Sequence, residues 1–226
     1  MNQMSNRAYL SLWCKDFGES VMLDRFEQLL ATAPLSTEFP GFTSLVVRAV
    51  SPDEAPIVER DLRAGSVDAA GVVALAREHA HADCCYEVEA YWDLWTYDTA
   101  ADQWQLGPAK IEILCLGEQY DSEAWRELGH FWIYAGFEHL FTGHAGLLGA
   151  ASVEVGQQHP AETEFLERMR RPGSLSDYRQ KTQANIRKLM GWAEQIDRAL
   201  PVERWRLWSE GEANFEARLE SILAGG

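Results

Sequence analysis

The chain is expected to fold as an α+β protein with a largely antiparallel sheet, and two features of its sequence carry that expectation. Residues 85–116 hold two runs rich in aromatic and β-branched residues around a short polar connector at 99–103, the pattern of a long hairpin. The last third has apolar residues at helical spacing (Leu175, Tyr178, Thr182, Ile186, Leu189, Ala193, Ile196, Leu200), which predicts a long helix over 174–200 packed on that sheet.

Ahead of the hairpin, Ala8–Lys15 is mostly apolar and reads as a first strand. Met22, Phe26, Leu29, Leu30 and Ala33 mark one face of a helix over about 20–33, which Pro34 stops. Gly41–Val50 reads as a second strand in the same sheet, and Ile57–Leu62 as a short edge strand. Residues 66–79 form a helix, with Ser66 placed to cap it. This order resembles a ferredoxin-like first half. Duplication of that unit along one sheet is the alternative arrangement.

Within the hairpin, one parity of the first run holds Tyr86, Val88, Ala90, Trp92, Leu94 and Thr96, which suits a core. The other holds Glu87, Glu89, Tyr91, Asp93, Trp95 and Tyr97, which suits a wetter face. A short helix follows over 121–128. Residues 129–141 read as a strand with Gly136 as a bulge, although so short an apolar run is also compatible with a buried helix. Thr142–Gln158 reads as a Gly-rich loop and Pro160–Arg171 as a helix. Beyond Pro201, Val202–Trp208 is a short edge strand, and Ser209 with Glu212 forms a capping box for a last helix bearing Phe215, Leu219, Ile222 and Leu223. The 226 residues are expected to form a single compact unit, with 1–120 and 121–226 as the natural subdivision.

The four cysteines form no Cys-x-x-Cys pair, and a disulfide framework is not expected. The opening residues do not make a signal peptide and no apolar run is long enough to span a membrane, so a cytoplasmic protein is expected.

Net charge is −15, of which −14 falls in residues 1–150. Such a surface repels phosphate, so neither nucleic acid nor an anionic membrane is expected as a partner; a basic protein or a cationic ligand would be steered in. Solubility alone also accounts for such a charge. The only concentration of positive charge is at 168–188, with Arg168, Arg170, Arg171, Arg179, Lys181, Arg187 and Lys188 against Asp177. This segment is expected either to cover the acidic hairpin face or, if solvent-facing, to favour self-association.

Three constellations are candidates for function. The first is the hairpin's polar face, Glu87, Glu89, Tyr91, Asp93 and Trp95, with Lys110 and Glu112 on the neighbouring strand. Acids beside aromatic platforms suit a basic partner, a cation or a sugar. The leading expectation is a non-enzymatic binding protein acting through this acidic, aromatic surface, akin in composition to an immunity protein that neutralises a basic toxin. The second is His79-Ala-His81-Ala-Asp83, whose alternate residues project to one side of an extended segment. It resembles part of the metallo-β-lactamase-type His-x-His-x-Asp-His motif, with Cys84 where the last His would stand. That resemblance implies a metal-dependent hydrolase; a helix C-terminus with two favourable histidines is the plainer alternative. The third is Glu138-His139 with His144 beside the Gly-rich stretch. A small-ligand or carbohydrate site would require a concave pocket walled by Trp92 or Trp95. Neither a Walker A loop nor a Gly-x-Gly-x-x-Gly is present, so no cofactor is expected.

Overall fold

The computed structural model describes residues 6–98, 101–142, 167 and 170–224. Seven strands form one antiparallel sheet: β1 (Arg7–Cys14), β2 (Phe42–Ala49), β3 (Val58–Asp61), β4 (Cys84–Asp98), β5 (Gln103–Leu116), β6 (Phe131–Phe137) and β7 (Val202–Ser209). Their order is β3-β2-β4-β5-β6-β1-β7. The α-helices among the described residues are α1 (Glu19–Ala31), α2 (Ala69–Ala76), α3 (Trp125–Leu128), α4 (His139–Thr142), α5 (Ser174–Ala199) and α6 (Phe215–Leu223).

The β4–β5 hairpin sets the frame, because fourteen register pairs run without a break from Cys85↔Leu116 to Asp98↔Gln103. Alternation decides which way it faces. Tyr86, Val88, Ala90, Trp92 and Leu94 are all fully buried, whereas the residues between them are half-exposed. The buried set joins one core with Leu10 and Leu12 of β1, Ile133 of β6, Phe26 and Leu29 of α1, Val72 of α2, and Ile186 and Trp192 of α5. Helices α1, α2, α4, α5 and α6 therefore cover one face of the sheet, with α5 packed there as the periodicity predicts. The opposite face carries a second, smaller apolar cluster, Cys85, Leu116 and Tyr120, under the 117–128 segment that includes α3. Gly117 lets that segment approach closely, since a Cβ there would lie 2.2 Å from the Ala82 carbonyl oxygen.

The first half keeps the ferredoxin-like chain order β-α-β-β-α-β, with α1 joining two parallel strands, but the split is wider than the single strand of that unit. Three strands, β4, β5 and β6, stand between β1 and β2. Duplication of the unit does not occur among the described residues: the second half contributes β6 and β7, which close on either side of β1.

Several local expectations shift. Ser66 is not the cap of α2; it takes a left-handed φ of 44°, and the Asp68 side chain accepts from the Gly71 N–H at 2.9 Å instead. The Ser209 hydroxyl does accept from the Glu212 N–H at 3.1 Å, but α6 starts later, capped by Asn214. Residues 131–137 are a strand, and the register against β1 slips between Ala8 and Tyr9, where Gly136 (φ 126°) faces Ala8. A bulged strand needs that positive φ, which glycine adopts without steric cost. All four cysteines are buried and free. Most of the 142–158 and 160–171 stretches, with His144, lie outside the described residues.

Candidate functional site

Following the register across the face opposite α1, α2 and α5 gives two rows that change character along the sheet. One runs Glu59, Val46, Glu87, Leu114, Trp132, Ser11, Arg206. The other runs Asp61, Ser44, Glu89, Glu112, Tyr134, Tyr9, Trp208. The β3 side is acidic, the middle aromatic, and the β7 edge basic and aromatic.

The acidic end contains the predicted site residues, and its charges are largely met from within. Lys110 stands 2.5 Å from Glu89 and 2.8 Å from Glu112, and Arg48 pairs with Glu87 at 3.1 Å. Burial opposes the charge of Lys110, but bonds to Glu112 and Glu89 outweigh it and raise its pKa. Burial pushes the Glu87 carboxyl up, with Arg48 opposing. Asp93 accepts from the Ser36 hydroxyl at 2.5 Å and from the Thr37 N–H at 3.1 Å. Tyr91 packs on Phe39 with ring centroids 5.1 Å apart. Trp95 lies under the Lys181 ammonium, 3.3 Å from the ring centroid.

The described part of the basic segment that could have covered this face, from Arg170 on, lies elsewhere. Lys188 donates to the Asp93 carbonyl oxygen at 2.8 Å, Lys181 sits on Trp95, and Arg171 pairs with Asp102 at the hairpin tip. It braces the far end of the hairpin and leaves Glu87 and Glu89 to Arg48 and Lys110. Trp92 is fully buried against Trp192, so no pocket opens on it.

The His79-x-His81-x-Asp83 segment closes a turn. His81 Nδ1 contacts the Asp83 carboxylate at 2.6 Å, the Tyr86 hydroxyl donates to the His79 carbonyl at 2.8 Å, and the His81 N–H donates to that hydroxyl at 3.2 Å. The His79 ring does not join the pair. Among the described residues no three His, Cys, Asp or Glu side chains come together as a metal site requires. Of the third constellation, the Glu138 carboxylate accepts from the Gly211 N–H at 3.0 Å, and His139 stacks on Phe137.

The basic, aromatic end was not singled out in the sequence. Tyr9 is stacked between Trp132 and Trp208, at centroid distances of 5.2 and 4.5 Å. This ladder buries Tyr9 and Ser11 although both point away from the helices, and the Trp208 indole N–H donates to the Ser11 hydroxyl at 3.0 Å. The Tyr9 hydroxyl donates to Glu210 at 2.7 Å. Beside the ladder, the Arg204 guanidinium lies 3.8 Å above the Trp13 ring, and Arg206 lies 5.1 Å from Trp208 and 5.9 Å from Trp13. Trp13 is fixed from below, its indole N–H donating to the Trp125 carbonyl at 2.9 Å. These residues, with Trp205 and Arg126–Leu128, line a groove of about 650 Å³.

Charge in the groove is unequally spoken for. Arg126 is held by Glu123 at 2.7 Å. Arg206 gives one N–H to the Glu127 carbonyl at 3.3 Å, and neither Arg204 nor Arg206 has a carboxylate partner among the described residues. Behind Trp13, His130 is clamped between Phe17 and Trp125, with centroids 4.1 and 4.5 Å away, and accepts from the Cys14 N–H at 3.0 Å. Burial holds its pKa down at about 4.

Comparison with protein-family models, with curated proteins and with solved structures finds no match to this chain, so the chemistry of the groove rests on its own residues. A signal for it does exist in the sequence. Arg204-x-Arg206-x-Trp208 places two cations and an indole on one face of a strand, but only the pairing of β1 with β7 brings Trp13 beneath them.

Proposed function

We propose that this is a non-enzymatic binding protein whose working surface is the face of the sheet opposite α1, α2 and α5. Its ligand site is the groove at Trp13, Arg204 and Arg206, and the ligand carries a negative group next to an apolar part. The observation that supports this most is that Arg204 and Arg206 rest on indole rings without a carboxylate partner among the described residues. A guanidinium over an aromatic ring still has N–H groups that can form the fork that grips a carboxylate or phosphate with two bonds. The neighbouring indoles supply the apolar wall, and the groove volume falls within the range of small-ligand sites.

A basic partner remains the expectation from the net charge of −15. It would have to compete with Arg48 and Lys110 for Glu87, Glu89 and Glu112, and with Ser36 and Thr37 for Asp93. In the groove no carboxylate competes for Arg204 or Arg206 among the described residues, and Arg206 gives up only one N–H, to a carbonyl, so the groove is the better site. Isothermal titration with phenyl phosphate and, separately, with spermine tests the choice. Binding of phenyl phosphate that disappears in the Arg204→Ala/Arg206→Ala variant supports the groove. Binding of spermine alone, unchanged in that variant, would move the site to the acidic end.

A further inference from the structure

The two edges of the sheet differ in a way that points to the form of the ligand. β3 is four residues long and ends in Glu59-Arg60-Asp61, all exposed, a short charged edge of the kind that resists pairing. β7 is eight residues long and carries Trp205, Leu207 and Trp208 between its charges, and no strand pairs with its outer edge among the described residues. An edge of that length and composition is a template for another strand. The groove reaches this edge. Arg204, Trp205 and Arg206 all line it.

We infer that β7 accepts an extended, acidic chain segment as an eighth strand, with Asp or Glu at alternating positions opposite Arg204 and Arg206. The inference rests on the groove being the ligand site and names the ligand as a polypeptide. Strand addition supplies main-chain hydrogen bonds along the edge, and side-chain pockets at every second residue supply selectivity. Residues at alternate positions project to one face about 7 Å apart, the interval between Arg204 and Arg206 themselves. Carboxylates at that interval meet both guanidiniums directly across the new pair, where opposite charges stabilise.

A second copy of this chain fits less well. An antiparallel β7–β7 pairing that continued both faces of the sheet would set Arg204 against Arg206, or one of them against its own counterpart, in each central register. Like charges directly opposite are destabilising. Glu127 is the one acid lining the groove, and its carboxylate forms no ion pair with Arg204 or Arg206 among the described residues.

The test uses the full chain and a short labelled peptide of alternating Val and Glu, followed by fluorescence anisotropy. The expected result is saturable binding that weakens about tenfold or more in Arg204→Ala/Arg206→Ala and is abolished when Lys replaces Glu in the peptide. Peptides with backbone N-methyl groups on alternating residues, one for each register, separate strand pairing from charge attraction. At least one must lose about tenfold or more in affinity. Equal binding of both methylated peptides would overturn strand addition. Failure of the Val-Glu peptide while phenyl phosphate still binds would overturn this inference and leave the groove as a small-anion site. Failure of both ligands would remove the groove reading as well.

Discussion

Asn185 is bonded to Trp95 as a neighbouring strand would be. Its side-chain oxygen accepts from the Trp95 N–H at 2.8 Å and its amide donates to the Trp95 carbonyl at 2.9 Å. The same amide also donates to the Leu140 carbonyl at 2.9 Å. β2 stops pairing with β4 at Ala90, so beyond that point the edge of β4 lacks a strand. Residues 35–36 take the first part, with the Ser36 N–H on the Tyr91 carbonyl at 2.7 Å, and Asn185 of α5 takes the next. The helix thus closes an edge that would otherwise leave buried backbone groups without partners.

Asn185 is 2 % exposed, and its removal strands three backbone groups. Asn185→Ala is expected to cost about 3 kcal/mol in urea unfolding, since each orphaned buried group costs ~1–3 kcal/mol and some recover water. Asn185→Asp should cost more at neutral pH, because it turns a carboxylate toward two carbonyl oxygens. A loss under half a kcal/mol, within the noise of ~0.5 kcal/mol for neutral surface changes, would show that Asn185 does not hold this edge.

His130 makes stability depend on pH over a defined window. Its pKa falls from the ordinary 6.5 to about 4 by burial. Between those values the unfolded chain takes up a proton that the folded chain refuses, so stability rises with pH across the window and is level above it. The whole contribution is about 3 kcal/mol. The measurement is unfolding free energy from pH 4 to 7.5, wild type against His130→Gln. The variant should be less stable at pH 7.5, because the bond to the Cys14 N–H is disturbed, yet flatter below pH 6.5. Parallel pH profiles for the two proteins would contradict the account.

Much of this architecture could be read in the sequence, and the reasons are local. The buried parity of β4 and the apolar face of α5 each follow from spacing within one element; of the strand expected over 129–141, residues 131–137 pair, with the slip near Gly136, and His139–Thr142 turn into α4. What spacing could not supply was pairing between distant segments. Trp13 and Arg204 are neighbours only because β1 lies between β6 and β7. Glu87 and Glu89 were recognisable as surface acids, but not their neutralisation by Arg48 and Lys110, because cross-strand register decides it. His81 and Asp83 do meet, as a turn clasp, while His79 is drawn off by the turn geometry around Tyr86.

At the acidic end, Lys110 separates two carboxylates that face each other across the β4–β5 pair, Glu89 and Glu112. Lys110→Ala should destabilise by about 0.5–1 kcal/mol at neutral pH, the modest scale of a half-exposed cross-strand pair. Added salt should recover part of the loss, and Glu112→Gln in the same chain should recover most of it. A double variant no more stable than Lys110→Ala alone would show that the repulsion is not the cause.

The His81–Asp83 clasp is exposed, so His79→Ala/His81→Ala is expected to fold normally and lose under about 1 kcal/mol. Equilibrium dialysis of wild type and variant against zinc should give the same bound zinc per chain. One equivalent lost in the variant would restore the hydrolase expectation.

The most direct measurement compares both ends of the face at once. Indole N–H and amide resonances are followed by NMR as phenyl phosphate and then spermine are added to the isotopically labelled full chain. The groove reading predicts that phenyl phosphate moves the Trp13 and Trp208 indole signals and the backbone of 204–208, and that Arg204→Ala/Arg206→Ala abolishes the shifts. Signals that stay still in the groove while spermine moves those of Glu87, Glu89 and Asp93 would contradict it and return the site to the acidic hairpin.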